Sequence, residues 1–119
     1  MAEAVLDPAV LDVLRSLTPP GEPDVLNEVL GMFLVEVPPR LQKLRNAMAA
    51  GNIEEVHRTA HSLKGSAGNI GANAMFAACK ELDDRSRGGD VAAVGPLIEA
   101  VGVEYGRVKT EIARLIGAS

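Results

Sequence analysis

The stretch Asn52-Ile53-Glu54-Glu55-Val56-His57-Arg58-Thr59-Ala60-His61-Ser62-Leu63-Lys64-Gly65-Ser66-Ala67-Gly68-Asn69-Ile70-Gly71 decides the fold. Its apolar residues Ile53, Val56, Ala60, Leu63, Ala67 and Ile70 recur three and four positions apart, which is the spacing of one helix face. Asn52 suits the N-cap, and Glu55 stands at the third helical position, from which it can reach back to the cap. Gly71 is the expected stop. On a helical wheel at 100° per residue, His61 falls roughly 130° from the centre of the apolar sector. It therefore points toward water or a partner, with Glu54, His57, Lys64, Gly65 and Gly68 on the same stripe.

Outward from this helix the same period continues in both directions. Asp7 and Pro8 open a short first segment with Val10, Leu11, Leu14 and Leu17 on one face. A second helix is predicted from about Pro23 to Val37, broken or kinked by Pro38-Pro39, and a third from there to about Ala50, ended by Gly51. Beyond Gly71, Met75, Ala78, Cys79 and Leu82 mark a fifth segment that ends at Gly88-Gly89. Asp90 can cap a sixth, whose face reads Val94, Leu97, Val101, Tyr105, Val108, Ile112 and Leu115. Gly95-Pro96 lies about one turn into it and predicts a kink or a late start.

Four substantial helices joined by short turns imply an all-α, antiparallel four-helix bundle with one or two additional N-terminal helices. The expected division is a single domain over 1–119, with a core bundle from about 38 to 117 and N-terminal helices from about 7 to 37.

Composition agrees. The chain has 119 residues, 47% of them hydrophobic and only 3% aromatic, so the core is aliphatic and suits packed helices better than short strands. A net charge of −4 speaks against nucleic acid as the partner. No apolar run is long enough to span a bilayer, and the first residues lack the basic and apolar regions of a signal peptide. Cys79 is the only cysteine, so it forms no internal disulfide and is expected to be a small core residue without a redox role. The expectation is a cytoplasmic, monomeric protein, free-standing because it begins with Met and holds a whole bundle.

The chemistry gathers at His61. A neutral imidazole is a nucleophile: one ring nitrogen attacks while the other donates to an acceptor that fixes the tautomer. Lys64, one turn away, offers an ammonium to phosphate oxygens, although most lysines are simply solvated. Two exposed glycines inside a helix cost about 1 kcal/mol each relative to alanine and call for a reason. Gly65 and Gly68 leave a bare strip on which another protein can approach His61 closely. The plain alternative is that they let a neighbouring helix pack tightly. His57, one turn before His61, reads as a flanking surface side chain or as a second basic group.

The run His61-Ser62-Leu63-Lys64-Gly65-Ser66-Ala67-Gly68-Asn69-Ile70-Gly71-Ala72 resembles the signature of histidine-containing phosphotransfer domains. The likeness extends through Cys79-Lys80-Glu81-Leu82-Asp83 and Gly88-Gly89-Asp90, and back through Met32 to Asn52. It implies that His61 takes a phosphoryl group from a receiver-domain aspartate and gives it to another, with Lys64 near the phosphate and Gly65 admitting the receiver. His57 and Gly68 would flank that docking surface, an apolar patch around the His61 stripe with a polar rim, to which residues near the second helix and the start of the fourth are candidates to add. The family often places a polar residue of the next helix on the histidine ring. By spacing that residue is Asp83, although Asp is shorter than the usual Gln or Glu, and Lys80 or Asp84 stands as the alternative; the plain reading of Asp83 is an ordinary exposed charge.

The chain has neither a P-loop nor a kinase-type glycine loop, so it is expected to be a carrier without ATP-dependent kinase activity. It is expected to need no cofactor of its own, with a divalent metal on the partner receiver. The partners implied are receiver domains of a hybrid sensor kinase or of response regulators. Two rivals remain: an adaptor that docks receivers without transfer, and a metal-binding bundle using Glu54, His57 and His61. The second is disfavoured because dimetal bundles point their Glu-x-x-His ligands inward from two helices.

Overall fold

The computed structural model describes residues 4–116, so the predicted C-terminal edge of the bundle at 117 lies outside the described residues. Six predicted segments become five helices: α1 (Pro8–Ser16), α2 (Val25–Ala49), α3 (Ile53–Asn69), α4 (Asn73–Arg87) and α5 (Val91–Ile116). The difference is α2, which runs unbroken through Pro38 and Pro39. Those prolines strip the carbonyls of Leu34 and Val35 of their helical partners. Both prolines lie on the exposed face, as does Val35, so water can satisfy what the helix cannot. The inward residues Val37 and Leu41 are undisturbed and buried. The bundle consequently begins well before the predicted residue 38, since Leu26, Leu30 and Phe33 also enter the core.

The late start predicted at Gly95-Pro96 does not occur either, and α5 begins at Val91. Pro96 costs one bond, to the carbonyl of Ala92, on an exposed face near the helix end. Glu55 does not close a capping box. Its backbone N–H donates to Asn52 Oδ1 at 3.1 Å, while its carboxylate turns to Lys43 at 3.0 Å, and that contact holds it below the usual carboxylate range.

Helices α2 to α5 form an up-down-up-down bundle, each packed on its sequence neighbours, with α5 closing against α2 and α1 lying on α2. Leu30, Leu44, Leu63, Ile70, Met75, Leu82, Val101 and Ile112 are among the side chains removed from solvent at its centre. Cys79 is one of this group, and burial pushes its thiol up to about 12. Among the described residues no helix is long and apolar enough to cross a membrane.

The turns after α2, α3 and α4 share one construction. In each a glycine with positive φ (Gly51, Gly71 and Gly89) follows the last helical turn, and the next amide donates back into the helix. Gly71 carries a second duty. Its carbonyl accepts the Asp7 N–H at 2.9 Å, and a Cβ built there would lie 2.9 Å from Asp7 Cβ and 3.1 Å from its backbone nitrogen. Asp7 in turn caps α1 by accepting the Ala9 N–H at 2.9 Å, and Asn73 donates to it at 3.5 Å.

Gly71→Ala therefore combines a left-handed residue, about 1–2 kcal/mol by itself, with a collision against the N-terminal segment. A loss of about 2–3 kcal/mol is expected in denaturant unfolding, against about 1 kcal/mol for Gly51→Ala, where the same φ meets open space. Equal losses would mean that the Asp7 contact yields freely.

Candidate functional site

His61 sits midway along α3 with its side chain 64% exposed, and α4 lies alongside. The residue that α4 brings to it is Asp83, whose side chain is wholly buried. Asp83 stands four residues after Cys79 and three before Ser86, both buried, so it belongs to the inward stripe of α4. It is not an ordinary exposed charge. Lys80 and Asp84, the alternatives for reaching the ring, instead pair with each other at 2.9 Å on the outer face.

Four basic groups converge on this one carboxylate. His61 Nδ1 lies 3.3 Å from Oδ2, and Lys64 Nζ donates to the same oxygen at 3.3 Å. Arg87 Nη2 reaches Oδ1 at 3.5 Å and Oδ2 at 3.4 Å. His57 Nδ1 lies 2.5 Å from Oδ1, but too obliquely to make an aligned hydrogen bond. Its ring is buried on the Nδ1 side, so His57 is not a mere flanking surface residue.

Burial alone would push the Asp83 carboxyl up. The hydrogen bonds from His61 and Lys64, with the charges of His57 and Arg87, outweigh that and hold it below the usual aspartate range. The group is covered by its own basic partners rather than sunk in the apolar core, which is why the partners prevail. An ionised carboxylate only accepts. In a neutral His61 ring this acceptor selects the tautomer with the proton on Nδ1, which leaves the lone pair on Nε2.

The rest of the stripe divides. A Cβ on Gly65 would meet nothing within 4 Å, so the surface beside His61 is open there. One on Gly68 would lie 3.3 Å from the ring of Phe76, so that glycine serves the packing of α4 on α3, the alternative to docking. On the other flank of α3 a shallow groove against α2 is lined by Val29, Met32, Glu36, Ser66 and Asn69, and Arg40 donates to Ser66 Oγ at 3.2 Å. Met32 is 57% exposed at this groove, with the polar residues Glu36, Ser66 and Asn69 around it. The three residues of the metal reading do not assemble: both histidines present Nδ1 to Asp83. Among the described residues no cluster of three His, Cys, Asp or Glu is placed to hold a metal ion.

Sequence reasoning missed Arg87 altogether. Its signal was available, because Arg87 follows Asp83 by four residues and so lies over it on α4.

Comparison with known proteins agrees with this geometry. The family model described as the Hpt domain matches residues 28–118. The crystal structure of histidine-containing phosphotransfer protein B (HptB) from Pseudomonas aeruginosa PAO1 superposes with a TM-score of 0.90 at 29% identity, covering 99% of each chain. Histidine-containing phosphotransfer protein 2 of Arabidopsis thaliana is 24% identical over 102 residues, which span 83% of this chain and 65% of that protein. A match over nearly the whole bundle, on a chain whose exposed histidine is braced by a carboxylate of the next helix, leads to one conclusion: the chain belongs to the Hpt domain family.

Proposed function

We propose that this protein is a phosphorelay intermediate that accepts a phosphoryl group on His61 Nε2 from the phosphoaspartate of one receiver domain and passes it to another. The observation that carries this reading is an exposed histidine ring whose Nδ1 is engaged by the buried Asp83 carboxylate, which leaves Nε2 as the nitrogen for the phosphoryl group. In uptake, the Nε2 lone pair forms the N–P bond while the acyl phosphate O–P bond breaks and the receiver aspartate leaves as a carboxylate. The proton on Nδ1 stays in place, and the positive charge that develops on the ring is offset by Asp83. Donation is the same path in reverse.

Lys64 is positioned to move from Asp83 to the phosphoryl oxygens. The divalent metal and the acidic phosphoacceptor belong to the receiver. This chain contributes a positioned nucleophile and a docking surface, and no kinase activity of its own. Receivers of a hybrid sensor kinase and of response regulators are the partners, meeting a monomer in the cytoplasm through a modest interface that releases after transfer.

The test is incubation with a receiver carrying radiolabelled phosphoaspartate. Label that moves to this protein and is acid-labile but alkali-stable establishes phosphohistidine. Failure with a broad panel of receivers would leave the adaptor reading in its place.

Gly65 separates docking from folding. Gly65→Leu adds a good helix former at an open site and is expected to raise stability by up to about 1 kcal/mol. The same side chain stands where the receiver must approach, so transfer is expected to fall about tenfold or more through KM. Unchanged transfer would move the docking surface off this stripe.

A further inference from the structure

We propose that His57 is a positioning residue: it grips Asp83 Oδ1 so that Oδ2 stays turned to His61 and holds its Nδ1–H. This rests on His61 being the phosphoryl carrier. The terminal torsion of an aspartate is broad, so a carboxylate keeps its orientation only when its oxygens are engaged. Oδ2 receives His61, Lys64 and Arg87, whereas Oδ1 receives Arg87 alone, at 3.5 Å, with His57 Nδ1 lying 2.5 Å from it.

Lys64 and Arg87 are long, flexible cations, and they follow whichever negative charge is nearest. When a phosphoryl group arrives at Nε2, both are drawn toward it and loosen their hold on Asp83. A histidine ring on a helix has two torsions and cannot follow. His57 lies one turn from His61 on the flank facing α4. Its buried Nδ1 makes no aligned hydrogen bond, and Asp83 Oδ1, 2.5 Å away, is the acceptor it faces. A small ring rotation completes the bond, and an unpaired buried N–H is otherwise costly. His57 thus remains on the carboxylate at the moment when the two cations leave it.

The experiment pairs nitrogen-resolved NMR of the His61 ring in the unphosphorylated protein with single-turnover transfer from a phosphorylated receiver. In the wild type His61 is expected as the Nδ1–H form. In His57→Leu it is expected as a mixture with the Nε2–H form, with the transfer rate at saturating receiver down about tenfold and the KM for the receiver unchanged. His57→Gln, which keeps an N–H donor, is expected to recover most of both. A wild-type tautomer in His57→Leu overturns the proposal, and so does a defect confined to KM, which marks a docking residue. If the wild type accepts no label, the relay reading fails, while the tautomer comparison still decides the role of His57.

Discussion

His61→Gln is expected to accept no label from any phosphorylated receiver while melting within about 2 °C of the wild type. Both halves follow from the placement of the ring. The side chain is mostly exposed and buries little apolar surface, so its removal opens no cavity. Its one polar contact, to Asp83, is shared with Lys64, Arg87 and His57, and a glutamine amide can donate in its place. What the amide lacks is a nucleophilic lone pair. Transfer measured beside a thermal melt is therefore decisive. Label retained by a folded His61→Gln would place the phosphoryl group elsewhere, whereas a variant that failed to fold would contradict the exposure of His61.

Asp83→Ala is expected to lower the transfer rate about 10- to 100-fold, the range seen when the outer partner that orients a functional imidazole is removed from a metal-bound histidine. Without the carboxylate the His61 ring is free to change tautomer and orientation, and the cations that met on Asp83 repel one another. Stability is expected to fall by about 1–2 kcal/mol rather than by the full cost of breaking a buried ion pair, because Arg87 and His61 can turn to water.

Asp83 also gives the fold a signature in acid. Its carboxyl is held below the ordinary value of 3.8 in the folded protein, so its contribution is fully present above that value and is lost as pH falls through the lowered one. Unfolding free energy measured against pH should decline over this acid range more in the wild type than in Asp83→Ala. Parallel curves, or a variant that transfers normally, would reduce the carboxylate to a bystander.

The stripe of His61, Lys64 and Gly65 was legible because helix periodicity alone turns those residues outward. The helix ends were legible because Gly51, Gly71 and Gly89 mark them chemically. The unbroken α2 was not. Proline rules count the lost hydrogen bonds, but they do not register that Pro38 and Pro39 face water, where the orphaned carbonyls are cheap to satisfy. Asp83 was named as the ring's partner only by family spacing, since charge suggested an outward side chain. Its interval of four from Cys79, on the predicted inward face, was the signal that could have placed it on the buried stripe. The role of His57 depends on a contact between helices that no local pattern on α3 contains.

The bond between Asp7 and Gly71 has a bearing on the order in which the molecule assembles. α1 precedes the four bundle helices in the chain, yet at nine residues it is too short to hold a helix alone. Its anchor includes Asn73, 66 residues downstream of Asp7. The Asp7 anchor must therefore wait until the hairpin of α3 and α4 has closed, and that closure is the same event that sets His61 against Asp83. Pulse-labelled hydrogen exchange during refolding should find the Asp7 amide protected only after the amides of α3 and α4. Earlier protection would show that α1 docks by another route. A helix synthesised before the bundle would then be the last to come to rest, and its docking would mark the completion of the phosphoacceptor site.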